Sequence, residues 1–380
     1  MNTVIWRVSL LLLFSAQAST KQTSWQELMA RAKTYYAQGS YAQAEELYLD
    51  AIAEIEKGEM DHVLLAQVLH NLATIYLDTG RYQEAEKLYR RSLQIREQKL
   101  GPNHVDVADT LNRLGMLSAL QLKLSEAEVF YRRALAIRKR AMGPSHRTVA
   151  ESLNNLAQVY RLQGQFKKAE STYRDAIAIF DKTVGEEDPE TATAVNNLAS
   201  VYQDERRYSE AESLYRRALA IREKLLGTDH TATGTTVNNL ATLYYERSEF
   251  AAAEPLYLRT LSIWEKALGP EHPDVAKTLY NLSQLYQIQG RYAQAEPLYL
   301  RAITIQETTL APDHPDRIAT LNGYAQLLRS TERESEAERI AGRASMLAKG
   351  SGTKKVTSQV INVRDLNIES RASQRVVSKK

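Results

Sequence analysis

Between Glu151 and Gly185 the apolar and small residues Leu153, Leu156, Ala157 and Tyr160 fall at i, i+3, i+4 and i+7. That spacing puts them on one face of a helix. After the break at Gln163-Gly164-Gln165, the series Phe166, Ala169, Tyr173, Ala176 and Ile177 restarts the same period and predicts a second helix, antiparallel to the first. The arrangement recurs along nearly the whole chain. The pair Ala-Glu stands at 44/45, 85/86, 127/128, 169/170, 211/212, 253/254, 295/296 and 337/338, a step of 41 once and of 42 thereafter. A period of this length means stacked helical hairpins, which present a long surface in place of a single deep pocket.

Two kinds of column run through the repeats. Ala32, Ala73, Gly115, Ala157, Ala199, Ala241, Ser283 and Ala325 occupy one position, where a larger side chain would hold the helix axes too far apart for close packing. Tyr35, Tyr76, Tyr160, Tyr202, Tyr244 and Tyr286 form one aromatic column, and Tyr48, Tyr89, Tyr131, Tyr173, Tyr215, Tyr257 and Tyr299 a second. These hold 13 of the 21 tyrosines, so the aromatic content predicts core rather than a base-stacking platform.

A small residue, an aromatic three residues later, a turn, and then Ala, aromatic and Ala at spacings of four and three resembles the tetratricopeptide repeat. The long unit, the Asn-Asn-Leu-Ala sequence and the linker Leu268-Gly269-Pro270-Glu271-His272-Pro273-Asp274 are most similar to the kinesin-light-chain subclass. The resemblance implies an all-α fold, a right-handed superhelical solenoid of about eight helical hairpins between Trp25 and Ala348. The predicted organisation is a signal peptide over 1–18, the solenoid within 19–348 and a basic tail over 349–380.

In the linker, Gly269 suits the end of a helix, Pro273 the first turn of the next, and Asp274 the positive end of its dipole. Ser125 with Glu128, and Ser209 with Glu212, have capping-box spacing for second helices. His104, His146, His230, His272 and His314 also recur. Equivalent positions in stacked units lie on the order of 10 Å apart, too far for ligands of one metal ion, so they read as helix-starting loop residues and no metal site is expected. The fourth unit carries Asp188 there, a good N-cap.

The first residues join Arg7 to an apolar run over Val8 to Phe14 and then Ala16-Gln17-Ala18, the pattern of a secretory signal cleaved after Ala18. Export is expected, to the periplasm in a Gram-negative host and otherwise to the medium. The run is too short to span a bilayer, and no later segment competes with it. The chain has no cysteine, which excludes disulfides, thiolate metal sites and a cysteine nucleophile. From residue 349 onward, eight basic residues face only Asp365 and Glu369, whereas the repeats hold 40 basic and 44 acidic residues. The tail reads as flexible, suited to an anionic surface or to the solenoid body.

On the first helices, the side opposite the core carries Asn71, Arg113, Asn155, Asn197, Asn239, Asn281 and Gly323, preceded by His70, Asn112, Asn154, Asn196, Asn238, Tyr280 and Asn322. Helix propensity gives asparagine no reason to recur there. The resemblance implies that first helices line a concave surface, where an asparagine commonly hydrogen-bonds an extended peptide backbone. On that basis Asn71, Asn155, Asn197, Asn239 and Asn281 form a candidate ladder, with Gln158, Arg161, Thr193, Ser200, Thr242, Lys277 and Gln284 as candidate specificity residues. The alternative for the asparagines is bridging between helices, preferred for the Asn154 column. No phosphate loop, nucleophile elbow or zincin motif is present, so neither an enzyme nor a cofactor is expected. The slightly acidic body argues against specific nucleic-acid binding. The expected function is an exported scaffold or adaptor that binds another protein through an extended peptide segment. Self-association or packing in an envelope complex is the alternative, and a motor-cargo adaptor a weaker one, since no heptad coiled coil is present.

Overall fold

The computed structural model describes residues 24–58 and 62–350. The signal-like segment with its cleavage position at Ala18 lies outside the described residues, as does the tail from residue 351. Among the described residues the structure is sixteen α-helices with no strand. They are α1 Trp25–Ala37, α2 Tyr41–Lys57, α3 His62–Asp78, α4 Tyr82–Leu100, α5 Val105–Leu120, α6 Leu124–Met142, α7 Arg147–Leu162 and α8 Phe166–Thr183, followed by α9 Pro189–Asp204, α10 Tyr208–Leu226, α11 Thr231–Glu246, α12 Phe250–Leu268, α13 Pro273–Ile288, α14 Tyr292–Thr309, α15 Pro315–Ser330 and α16 Glu334–Gly350. The expected breaks between helices fall where the sequence puts them, and among the described residues no helix is long and apolar enough to cross a membrane.

The chain divides into two compact units after Leu117, within α5. In each, α-helical hairpins pack in chain order: α1 on α2 and α3 on α4 in the first unit, and the pairs from α7·α8 to α15·α16 in the second. The second helix of a hairpin then packs on the first helix of the next, as α8 does on α9 and α10 on α11. Each unit is thus an α-solenoid. The small-residue column is fully enclosed at Ala32, Ala73, Ala157, Ala199, Ala241 and Ser283. All seven tyrosines of the second aromatic column are buried.

The recurrent Ala-Glu pair has a two-part explanation. Its alanine is sealed in the core at positions 44, 85, 127, 169, 211, 253, 295 and 337. Its glutamate clamps the following hairpin. Glu212 accepts from the Tyr244 hydroxyl at 2.7 Å and from Arg247 at 2.8 Å, and Glu254 accepts from Tyr286 at 2.9 Å and Arg291 at 2.6 Å. Glu45, Glu170 and Glu296 do the same with Tyr76 and Arg81, Tyr202 and Arg207, and Tyr324 and Arg333. The arginine stacks over the tyrosine ring about 4 Å away in three cases, Arg81, Arg207 and Arg291, and adds a cation–π contact.

A second fastening uses buried arginine. Arg96, Arg138 and Arg222 donate from Nη1 to the carbonyls of Asp106, Thr148 and Ala232, and to the hydroxyls of Thr110, Ser152 and Thr236. Equivalent positions hold Phe180, Trp264 and Gln306. Opposite Trp264 stands Gly234, where five other repeats have alanine; a Cβ there would lie 2.9 Å from Ile263 Cγ2 and 3.3 Å from the indole.

The histidines begin helices as expected. Nδ1 of His104, His146, His230, His272 and His314 accepts from the backbone N–H two residues on, at 3.1–3.2 Å, and Asp188 caps α9 in the same way at 2.8 Å. The capping boxes are a correction. The N-caps of α6 and α10 are Lys123 and Arg207, with no side-chain cap, so Ser125 and Ser209 already lie inside the helices. Glu128 and Glu212 instead bond the next hairpin, at Gln163 and at Tyr244 and Arg247.

Candidate functional site

In the second unit the first helices α7, α9, α11, α13 and α15 all contribute to one groove of about 440 Å³. Arg161 comes from the end of α7, and Ser200, Gln203 and Asp204 from α9. Asn238, Asn239, Thr242 and Glu246 line it from α11, and Lys277, Tyr280 and Asn281 from α13. Asp316, Ala319 and Thr320 of α15 close the far side, while Tyr215 and Gln306 reach it from second helices. A smaller hollow of about 210 Å³ is lined by Tyr245, Glu246, Tyr257, Tyr280, Asn281 and Gln284, along with Thr242.

Of the residues singled out in the sequence, Arg161, Ser200, Asn239, Thr242, Lys277 and Asn281 therefore share the groove, and Gln284 lines the hollow. Asn155 and Asn197 are placed differently, 4 % and 3 % exposed. They belong to a relay of amides between successive first helices. Asn239 Nδ2 donates to Asn196 Oδ1 at 3.2 Å, Asn196 to Asn197 at 3.4 Å, Asn197 to Asn154 at 3.3 Å and Asn154 to Asn155 at 3.5 Å. Each amide in the middle of this run both donates and accepts, which fixes α7, α9 and α11 in register. Both asparagine columns thus take part in inter-helix bridging. In the first unit, Asn71 is half-buried and hydrogen-bonded to the Tyr48 hydroxyl.

Several candidate specificity residues also serve the core. Gln158, almost wholly buried, accepts from the Tyr173 hydroxyl at 2.7 Å. Ser200 shares a hydrogen bond with Tyr215 at 2.9 Å, and Thr242 accepts from Tyr257 at 3.2 Å. Gln284 repeats the pattern with Tyr299. One position thus satisfies the hydroxyls of Tyr173, Tyr215, Tyr257 and Tyr299. Thr193 accepts from Arg222 Nη2 at 3.0 Å. Gly323 interrupts the asparagine column for a steric reason: a Cβ there would come within 2.6 Å of the Gln284 amide and 3.0 Å of the Tyr299 ring.

The groove's charges are unevenly compensated. Arg161 is committed to Asp204 at 2.9 Å, with both side chains largely buried. Glu246 stands at the open rim between walls of protein. Partial desolvation, reinforced by the charge of Asp204, holds its pKa above the ordinary carboxylate value, against the hydrogen bond to Gln203 and the charge of Arg206. Burial likewise raises the pKa of Tyr280, helped by Asp316. Gln306 is 2 % exposed and its Oε1 has no hydrogen-bond partner. Among the described residues no cluster of side chains is arranged to hold a metal ion.

Sequence reasoning missed Asp204, Glu246, Asp316 and Gln306; Asp316 repeats Asp106 and Asp274 and so carried no signal of its own. For Glu246 and Asp204 the available signal was an acid at a position that is Leu120, Leu162 and Ile288 in three other repeats, although Asp78 stands there in the second.

No curated protein matches the chain. Among solved structures, BtubC (BKLC) of P. vanneervenii is similar at 23 % identity and a TM-score of 0.52, over 64 % of this chain and 98 % of that one. TPR-like repeats from Podosopora anserina assigned to a kinesin light chain show 27 % identity and a TM-score of 0.47, over 55 % and 99 %. A STAND protein of Pyrococcus horikoshii with a tetratricopeptide repeat sensor aligns with 89 % of this chain and 48 % of its own at 15 % identity, with a TM-score of 0.57. The folds of BtubC and of the STAND protein agree with the hairpin stack, and the family itself is shown by the tetratricopeptide-repeat family model, which matches residues 27–98, 64–140, 106–182, 190–263, 237–308 and 285–349. With its helices, packing columns and this match in agreement over most of its length, the chain belongs to the tetratricopeptide repeat family.

Proposed function

We propose that the protein is an exported scaffold or adaptor which binds an extended segment of another protein along the first helices of its second unit. The observation that carries this reading is the convergence of five successive first helices on one groove with a largely polar lining. Asn239 and Asn281 are half-buried and offer donor and acceptor together, so they suit a peptide backbone without demanding a charge. In this account the buried Asn155 and Asn197 hold the helices that shape the groove. Lys277 adds charge selection. The reading is non-catalytic. Export rests on the apolar segment before Ala18 and is tested by fractionating cells that express the full chain.

Peptide-array binding with the full chain tests the groove, against a variant carrying Asn239→Ala, Asn281→Ala and Lys277→Ala. Loss of captured peptides with an unchanged helical melting curve supports the reading, and unchanged capture sinks it. One observation favours a second reading. Leu258 and Leu300 occupy equivalent places on α12 and α14 and are 45 % and 46 % exposed, as an association surface would require. Sedimentation of wild type beside Leu258→Arg and Leu300→Arg decides it: those variants carry the residue found there as Arg174 and Arg216, and they would dissociate a self-assembled form.

A further inference from the structure

The hollow beside the groove departs from the repeat in a consistent direction. Tyr245 replaces what is Gln203 and Gln287 in the flanking repeats, and Tyr280 stands where five repeats have asparagine. Neither belongs to the two packing columns, yet both line the same space, with Tyr257 and the carboxylate of Glu246. The wall therefore combines three aromatic rings with an acidic group.

Around it the negative charge is in excess. Asp204 and Asp316 line the adjoining groove, and of its two cations Arg161 is already paired with Asp204. The tyrosines respond to that field. Burial raises the pKa of Tyr257, and Glu246 raises it further, as Asp316 does for Tyr280. In the adjoining groove Gln306 adds a buried acceptor, Oε1, without a donor. Aromatic faces attract cations through their quadrupole, a carboxylate adds charge, and an unfilled acceptor takes an N–H. An anionic ligand would meet Glu246 in the hollow and Asp204 and Asp316 in the adjoining groove, and a purely apolar one would leave Glu246 unanswered.

We propose that the hollow formed by Tyr245, Glu246, Tyr257 and Tyr280 is a cation-recognition pocket, which receives a lysine or arginine side chain from the extended segment of another protein. The proposal rests on the groove reading above and specifies the chemistry of its partner. Its backbone would run past Asn239 and Asn281 while the basic side chain turns into the pocket, with Gln284 at the wall. Gly323 has a part in this, because the absence of a Cβ there leaves room for the Gln284 amide.

The test is fluorescence polarisation with the full chain and four short Gly/Ser peptides that differ only in a central lysine, arginine, norleucine or glutamate. The lysine and arginine peptides are expected to bind roughly threefold to tenfold tighter than norleucine, with glutamate weakest. Tyr280→Asn and Glu246→Gln should each reduce that preference. Tyr280→Asn installs the residue of the other repeats, and melting curves confirm folding of both variants. Equal affinity for the lysine and norleucine peptides, with binding intact, overturns the pocket and leaves the groove standing. A preference that survives both substitutions together also overturns it. Failure of all four peptides to bind overturns the pocket and the groove alike.

Discussion

Gly234 and Trp264 make a sharp case of sequence compensation. At five other copies of the Gly234 position the residue is alanine, including Ala150 opposite Phe180 and Ala192 opposite Arg222. Only the repeat with tryptophan has glycine. Replacing a mid-helix glycine by alanine should stabilise by about 1 kcal/mol through helix propensity. Here the new methyl would sit 2.9 Å from Ile263 Cγ2 and 3.3 Å from the indole, and overpacking of this kind costs about 1–3 kcal/mol. Gly234→Ala in the wild type is therefore expected to be neutral to destabilising, by about 0–2 kcal/mol. Trp264→Phe reproduces the Phe180 arrangement, and in that background Gly234→Ala should stabilise by about 1 kcal/mol. The coupling in a double-mutant cycle is then about 1–3 kcal/mol, read from denaturation midpoints followed by circular dichroism. If Gly234→Ala stabilises both backgrounds equally, the steric reasoning is wrong.

Glu212→Gln weakens the clamp on Tyr244, Arg216 and Arg247 and should destabilise by about 1–2 kcal/mol, with a smaller effect at high salt, as denaturant titration at two ionic strengths would show. His272→Ala removes the N-cap of α13 and is expected to cost about 1 kcal/mol, while His272→Asp, the residue at 188, should recover most of it. His70 lies against the Tyr89 ring, and burial followed by the charges of Arg96 and Arg113 lowers its pKa well below the ordinary 6.5. The neutral form is thus favoured by folding. Its contribution is full above about pH 6.5 and is lost as the pH falls toward the folded value, so the first unit should melt earlier at pH 5.5 than at 7.5. His70→Asn, the residue of the neighbouring repeats, should remove that component of the slope.

The helices and both packing columns were legible because eight copies average out local noise, and a position that stays small eight times, or aromatic six or seven times, has few explanations other than packing. The glutamate clamp was less so. Its tyrosine and arginine lie 32 and 35 residues beyond Glu212, in the next hairpin, and only the stacking geometry brings them together. The buried arginines were missed because a charged residue on a helix reads as solvated; the recurring hydroxyl 14 residues later, as in Arg138 and Ser152, was the usable signal. Capping-box spacing at Ser125 misled because the helix starts one residue before the serine. A helical wheel put Asn155 opposite the core, but it treats each helix as isolated. In the stack, Asn197 of the next first helix reaches back to Asn154, and the amides are enclosed. What the wheel did locate is the direction of the groove, where Asn239, Asn281 and Lys277 lie.

The most direct measurement is photocrosslinking in the native host, with a benzophenone amino acid placed in the full chain at Asn239 or Asn281 and, for comparison, at Leu258 or Leu300. The groove account requires a discrete partner adduct from the first pair and none from the second. An adduct only from the second pair would contradict it and move the functional surface to the outer helices.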